Sequence, residues 1–286
     1  MANTDNTNNE LFLAVQDNNI SKINEALAKD ADINFLNSME IQLTHITIEK
    51  GNSAFHLACY LGFKEVVQLL LDNGADINIK NKNGYNAIHY ATFNGKYEIV
   101  DLLIKSCCEP NAKSINGFTP LHIAARFNHT TVAHILLINN VNINEQNKFG
   151  ETPLYISTEY NHNYITELLI NKGANVNIKC KYNTSPLHHA CDIGNIYNIQ
   201  LLIDNGAEIN CIDEFNSTPI QNAINRNHIE VVKLLLSKGS NFKLSNNYDV
   251  INKWTPTMVI ILLEELSLYN HIGDLSVFED LYQYLV

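Results

Sequence analysis

Aliphatic residues recur along this chain in short runs that have the spacing of one face of an α-helix. The segments VVQLLL at 66–71 and VVKLLL at 231–236 are two examples, and polar residues fill the positions around such runs. Each run predicts a helix that packs against a core through its aliphatic face and exposes the opposite face to water. Because closely similar runs return along the chain, internal repeats are expected.

The period of the repeat is 33 residues. Six turn residues lie 33 positions apart and set its register: Gly51, Gly84, Gly117, Gly150, Asn183 and Asn216. Asn is the natural replacement for Gly at such a turn, because it tolerates left-handed backbone angles better than other side chains do. The two Asn positions therefore support the same register as the four Gly positions.

Each turn is followed by the start of a short helix, and a second helix ends in a recurring close. The helix starts read TPLH at 119–122, TPLY at 152–155 and SPLH at 185–188, with Thr or Ser as the N-cap and Pro in the first helical turn. The closes read GADIN at 74–78 and GANVN at 173–177, where Gly ends the helix. A 33-residue period that carries these two motifs resembles the ankyrin repeat.

The resemblance implies an all-α fold, an ankyrin-repeat solenoid of stacked helix-turn-helix units with β-hairpin fingers. It covers residues 11–244 and begins with an amino-terminal capping repeat, whereas residues 1–10 are expected to be disordered. The register leaves eleven additional residues within 35–50, which predicts one enlarged loop. Residues 245–286 are expected to form a helical carboxy-terminal cap.

A second interpretation of the carboxy-terminal segment stays open. Pro256 precedes a very apolar predicted helix, and Asp274-Leu275 follows it. This order resembles the F-box-like segment with which some viral and bacterial ankyrin proteins recruit a ubiquitin ligase, although Thr255 stands where that segment has Leu. The alternative function is therefore a ubiquitin-ligase substrate adaptor.

Composition and charge exclude several classes of partner. Hydrophobic residues make up 45% of the chain and charged residues 17%, which predicts a folded protein. The net charge of -11 opposes binding to nucleic acid or to an anionic membrane, since phosphate contacts need clustered positive charge. No apolar run approaches the roughly 18 residues of a membrane-spanning helix. We therefore expect a cytoplasmic protein that binds neither nucleic acid nor membrane.

Residues that could carry chemistry do not converge on a site. His56, His89, His122 and His188 recur with the repeat, which indicates a structural role. The six cysteines form no C-x-x-C pair and lie near no histidines at zinc-ligand spacing, so reduced thiols are expected. Nucleotide-binding and hydrolase motifs are absent from the sequence. These observations predict a protein without catalytic residues, metal or cofactor, which is not an enzyme.

The resemblance implies a partner-binding concave surface, formed by the fingertips and the exposed face of each first helix. In each repeat its positions are two before, one before, one after, nine after and ten after the turn residue. Nine of these thirty residues are aromatic, against 9% of the whole chain, and they are Tyr60, Tyr85, Phe93, Phe118, Phe127, Phe149, Tyr160, Tyr182 and Phe215. Aromatic rings in a row are typical of an interface, because they give a large contact area at low rotamer cost.

Charged residues at the same positions complete the candidate site. Six are basic and five acidic, so the surface is expected to be nearly neutral on an acidic protein. Lys82, Arg126 and Lys148 lie beside the rings and are included in the predicted site. The partner is predicted to be another protein or a peptide with apolar anchors, bound by a monomer. The chain contains 43 Asn, and ankyrin proteins of such composition resemble viral or bacterial effectors that act in the host cytosol.

Overall fold

A computed structural model describes residues 2–37, 41–42, 47–48 and 50–241 of the chain. Its contacts divide the chain into two compact units, Met1–Lys148 and Phe149–Val286. Both interpretations of residues 245–286, the helical cap and the F-box-like segment, lie outside the described residues. None of the helices described is long and apolar enough to cross a bilayer.

The first unit is built from helix pairs in the part that the structure describes. Its helices are α1 Ala2–Gln16, α2 Ile20–Ala28, α3 Ala54–Leu61, α4 Lys64–Asp72, α5 Ala87–Phe93, α6 Tyr97–Lys105, α7 Pro120–Arg126 and α8 Thr130–Ile138. The first helices of the pairs pack side by side, α1 against α3, α3 against α5 and α5 against α7, and α6 packs against α4 and α8. Phe55, Leu57, Leu70 and Leu103 are completely buried between them.

The second unit repeats the same arrangement. Its described helices are α9 Pro153–Glu159, α10 Asn163–Asn171, α11 Pro186–Ile193, α12 Ile196–Asp204, α13 Pro219–Asn225 and α14 Ile229–Ser237. Helix α11 packs between α9 and α13, and α10 packs against α12. Leu154, Leu202 and Leu235 are completely buried in this core. The all-α repeat fold predicted from the sequence is confirmed in each unit.

The recurring TPLH motif forms its helix start as predicted. Thr119 is the N-cap of α7, Pro120 is its first residue, and the backbone N–H of Thr119 donates to Nδ1 of His122 at 3.1 Å. Nδ1 of His122 also lies 2.8 Å from Oγ1 of Thr119. The histidine therefore closes a capping box, a role that Glu or Gln usually fills.

The amino terminus differs from the prediction of disorder at residues 1–10, because α1 begins at Ala2. Asn8 is buried, and its Oδ1 accepts a hydrogen bond of 2.7 Å from the backbone N–H of Asp32. Glu10 lies 3.3 Å from Nζ of Lys29. These tertiary contacts stabilise a helix that the Asn-rich sequence would not form alone, since Asn is a poor helix former.

The fingers between helix pairs are tighter than the predicted β-hairpins. In the finger at 80–85 the N–H of Asn81 donates to the carbonyl of Tyr85, and the N–H of Gly84 donates to the carbonyl of Asn81, each at 2.9 Å. Oδ1 of Asn81 accepts two further backbone N–H bonds, from Asn83 and Tyr85. Hydrogen bonds to a side chain thus close a turn that is too short for paired β-strands, and no strand is described in this finger.

The enlarged loop at 35–50 is an extension of one such finger. The N–H of Asn37 donates to the carbonyl of Asn52 at 2.9 Å, and the N–H of Gly51 donates to the carbonyl of Asn37 at 2.7 Å, the same pairing as in the next finger. Thirteen residues separate Asn37 from Gly51 where two separate Asn81 from Gly84, a difference of eleven. Within the extension β1 Ile41–Gln42 pairs antiparallel with β2 Thr47–Ile48.

Candidate functional site

The turn residues hold neighbouring fingers close together within each unit. Gly84 has a φ of 76°, and a Cβ added there would lie 2.7 Å from the backbone N of Ile115, so the position needs Gly. Asn183 and Asn216 have φ values of 57° and 59°, which confirms the left-handed turns predicted for them. This geometry brings the backbones of adjacent fingers within hydrogen-bonding distance.

Backbone hydrogen bonds set the alignment of the fingertips. In the first unit the N–H of Ile115 donates to the carbonyl of Asn83 at 2.9 Å. In the second unit the N–H of Lys181 donates to the carbonyl of Phe149 at 2.9 Å, and the N–H of Glu214 donates to the carbonyl of Tyr182 at 3.0 Å. Residues one position before the turn therefore stand in a row from finger to finger.

Aromatic side chains of the first unit form a packed group, called here the aromatic cluster. It consists of Tyr60, Tyr85, Tyr90, Phe93 and Phe127. Phe93 is its centre, with ring centroids 5.1 Å from Tyr85, 6.0 Å from Tyr90 and 5.8 Å from Phe127, mostly edge to face. Tyr60 joins through Tyr90 at 6.5 Å. Four of the five rings are only half-exposed, so much of their surface is already used inside the protein.

The two ends of α7 carry two predicted aromatic residues, Phe118 before its N-cap and the cluster residue Phe127 at its C-cap. Phe127 is 46% exposed, stacks on His129 at 6.2 Å, and has the Arg126 guanidinium carbon 6.0 Å from its ring centroid. Phe118 is half-buried, with its ring 5.9 Å from that of His122. Phe127 therefore offers the most accessible ring of the cluster.

The predicted aromatic residues of the second unit are all exposed. Phe149, Tyr182 and Phe215 stand on three successive fingers and are 45%, 59% and 77% exposed; this set is called here the fingertip row. Tyr160, at the end of α9, is 42% exposed and stacks on His162 at 6.2 Å. Three large rings in one aligned row are available for contact with a partner.

Sequence reasoning missed Tyr90, which completes the cluster. It lies on α5 six residues after the turn, a position filled by the buried Leu57 and Ile123 in neighbouring repeats. Its hydroxyl accepts a hydrogen bond of 2.9 Å from Nδ2 of Asn81. A polar aromatic residue at a position that is aliphatic in the two neighbouring repeats was the signal that could have identified it.

Some of the recurring histidines connect their first helix to the segment that follows the helix pair. Nε2 of His56 donates to the carbonyl of Ile79 at 2.9 Å, and Nε2 of His89 donates to that of Phe118 at 3.1 Å. A carbonyl can only accept, so Nε2 carries the proton and Nδ1 accepts the cap N–H. Burial lowers the pKa of His56 to about 4 and that of His89 to about 3. Both imidazoles are neutral structural links at pH 7.

Buried thiols and a tyrosine–histidine pair complete the titratable groups. Burial raises the pKa of Cys59 and Cys191 and raises that of Cys108 to about 12, so these thiols are poor nucleophiles. Tyr155 replaces the recurring histidine in α9, and its hydroxyl lies 2.6 Å from Nε2 of His189. Among the residues that the structure describes, no group of three or more His, Cys, Asp or Glu could hold a metal ion.

Comparison with known proteins identifies the repeat. A family model described as ankyrin repeats in three copies matches residues 11–114, 55–147, 121–213 and 187–268. The last match extends beyond residue 244, where the sequence predicted the end of the repeats. A curated relative is an ankyrin repeat protein of Acanthamoeba polyphaga mimivirus, 30% identical over 91 residues. The alignment covers 24% of this chain and 12% of the relative, so it spans a small part of the relative's length.

Proposed function

Because the chain belongs to the ankyrin-repeat family, we propose that it is a non-enzymatic scaffold that binds another protein through aromatic side chains on its fingers and first-helix ends. The observation that carries the proposal is the fingertip row of the second unit, Phe149, Tyr182 and Phe215. Rings this exposed do not stabilise the core, and exposed aromatic residues in a group are typical of protein interfaces.

The rigid support of the fingertip row and its Tyr and Phe side chains favour a protein partner. Successive fingers are joined by backbone hydrogen bonds, so the three rings are held on a fixed frame and lose little further entropy when a partner binds. Tyr and Phe have few rotatable bonds, which lowers that cost again. A partner surface with apolar side chains would bury the rings without requiring movement of the helix pairs.

A double variant tests this proposal in the full chain. Tyr182→Ala with Phe215→Ala removes two rings of the row, and Tyr164→Ala is the matched control, since Tyr164 on α10 is 78% exposed and so comparable to Phe215. Affinity capture followed by mass spectrometry should recover a partner with the wild type and the control. It should not recover that partner with the double variant, whose circular dichroism and melting stay unchanged. Equal recovery with the double variant would place the interface elsewhere.

The proposal includes a role for the protein in a host cell. The viral ankyrin relative and the Asn-rich composition support an effector that acts in host cytosol. The family match over 187–268 includes Pro256 and the aliphatic run that follows it in the sequence, which supports a further repeat there over the ligase-adaptor alternative. Expression in candidate host cells, followed by imaging of the tagged full chain, tests the location. Accumulation outside the cytosol would contradict it.

A further inference from the structure

Basic residues are concentrated on the fingers and first-helix ends of the first unit. Within the described residues 50–52, 80–85, 113–118 and 145–148 and the helices α3, α5 and α7, six residues are basic, and all six are exposed: Lys50, Lys80, Lys82, Lys113, Arg126 and Lys148. This set is called here the basic finger surface. The same segments contain one acidic residue, Glu145, whose Oε1 lies 2.7 Å from Nζ of Lys113.

The excess of positive charge is local. Glu49, next to Lys50 in the sequence, lowers the excess by one, yet the surface remains clearly positive on a chain whose net charge is -11. The equivalent segments of the second unit carry more acidic than basic residues, namely Glu151, Glu159, Asp192, Asp213 and Glu214 against Lys179, Lys181 and Arg226. The nearly neutral surface predicted from the sequence is thus the sum of two unlike parts.

The basic finger surface adjoins the aromatic cluster. Lys82 and Tyr85 belong to one finger, and the Tyr85 ring lies 5.1 Å from that of Phe93. At the opposite edge, Arg126 lies beside Phe127. A ligand that follows this surface therefore meets lysines along the fingers and a half-exposed apolar patch between the fingers and the helix ends.

We propose that the basic finger surface of the first unit binds an acidic segment of a partner protein, in which Asp or Glu alternates with apolar side chains that contact Phe93 and Phe127. This inference rests on the proposed function and names the chemistry of the partner. Positive charge on an otherwise acidic protein orients such a segment during encounter, and the rings supply apolar contact once it is bound.

The arrangement favours an acidic protein segment over single-stranded nucleic acid. Base stacking needs ring faces that are open to solvent. In the cluster, Tyr85 and Phe93 pack edge to face at 76°, and both are half-buried by their neighbours. One of the six cations is already engaged by Glu145, and the acidic remainder of the chain would repel an extended phosphate backbone.

Selection of peptides against the full chain tests the inference. A random peptide library is displayed on phage, and the enriched peptides are labelled with a fluorophore for anisotropy measurements. We expect enrichment of Asp and Glu interleaved with Leu, Phe or Trp. Lys80→Glu with Lys82→Glu should weaken binding of these peptides at least about tenfold, because each reversal replaces attraction with repulsion.

A matched variant controls for the change of net charge. Lys64→Glu with Lys172→Glu alters the total charge equally, at exposed positions on or beside the second helices α4 and α10. Its affinity should stay within about twofold of the wild type, since neither lysine belongs to the basic finger surface and exposed charges are screened by salt. Raising the salt concentration should weaken wild-type binding more than binding by the Lys80→Glu, Lys82→Glu variant.

Several results would overturn the inference. Enriched peptides without acidic residues, unchanged affinity in the Lys80→Glu, Lys82→Glu variant, or preferred binding of a labelled single-stranded DNA would each do so. Peptides that lose affinity only in the Tyr182→Ala, Phe215→Ala variant would place the binding on the fingertip row, which overturns this inference and leaves the proposed function intact. Failure of every peptide and every captured protein to bind would overturn both.

Discussion

The aromatic cluster of the first unit and the fingertip row of the second unit occupy different repeat positions and have different environments. Tyr85 and Phe93 of the cluster lie one and nine residues after the turn residue, whereas every ring of the row lies one residue before it. Phe93 contacts three other rings, whereas no ring contact joins Tyr182 to Phe215 among the described residues. The repeat position determines where a ring stands. Its neighbours determine whether it stabilises the fold or remains available to a partner.

The difference originates in the position of each ring on its finger and in a few positions at the helix ends. Nine residues after the turn, the first unit has Tyr60, Phe93 and Arg126, whereas the second has Glu159, Asp192 and Asn225. Rings at the helix ends give finger aromatics such as Tyr85 an apolar surface to pack against. In the second unit these helix-end positions are polar, and the finger aromatics lie one residue before the turn, where they remain exposed.

Acidification should give the largest loss of stability, because it protonates the buried histidines that contact the aromatic cluster. His89 lies 5.3 Å from Tyr85 and His56 lies 5.1 Å from Tyr90, ring to ring. Both folded pKa values lie below the unfolded value of about 6.5, so the unfolded chain takes up protons first and stability falls as the pH drops below that value. Each histidine should cost about 1.4 kcal/mol per pH unit until the pH approaches its folded pKa.

Hydrogen exchange at a series of pH values measures this loss. Peptides from α3 and α5 should lose protection between pH 7 and pH 5 by roughly 4 kcal/mol in total. His188 and His189 also have pKa values lowered, first by burial, so the second unit should weaken in the same direction. Constant protection of α3 and α5 over this range would show that the two imidazoles do not link the repeats as described.

Removing the central ring should give the next largest effect. Phe93→Ala loses three ring contacts and leaves a gap at the end of α5, so the free energy of unfolding should fall by about 2 to 3 kcal/mol. Phe215→Ala, its control on the fingertip row, should change that free energy by less than about 0.5 kcal/mol. Urea denaturation followed by circular dichroism compares them. Equal losses would remove the distinction between the two regions.

The repeat register, the turns and the helix caps could be predicted from the sequence, whereas the environment of each aromatic ring could not. Turn residues such as Asn183 and caps such as Thr119 act through their own backbone and the next few residues, so a 33-residue register is enough to locate them. Whether Phe93 or Phe149 is shielded depends on side chains from adjacent repeats. The charge summed over all repeats likewise did not show that the fingers of the first unit are basic, as at Lys82, and that those of the second unit are more acidic, as at Glu214.

The helix at Ala2–Gln16 shows the same limit. Its Asn-rich first half contains many poor helix formers, and Asn8 and Glu10 contact Asp32 and Lys29, which lie farther along the chain. Local propensity predicted disorder because it contains no information about those partners.

The extended finger belongs to the first unit, so its contribution to stability must be separated from that of the aromatic cluster. Replacing residues 38–50 with the Lys-Asn pair found at 82–83 keeps the Asn37 pairing and should change the free energy of unfolding by less than about 1 kcal/mol, because loop length has a weak effect on stability. Asn37→Ala, which leaves the buried N–H of Asn52 without its side-chain acceptor at 2.7 Å, should cost about 1 to 2 kcal/mol. Thermal melting compares the two. A larger loss from the loop replacement would make the extension part of the core.

The smallest expected effect separates the two regions most directly. In a double-mutant cycle on Tyr85→Ala and Phe93→Ala, the losses should not add, with a coupling of about 0.5 to 1.5 kcal/mol, because the two rings contact each other edge to face. The same cycle on Tyr182→Ala and Phe215→Ala should show a coupling near zero, since their fingers are joined through backbone atoms that alanine retains. Urea denaturation of the wild type and the three variants in each cycle gives both values. Coupling of similar size in the second unit would mean that the fingertip rings support one another, and the row would then contribute to stability as the cluster does.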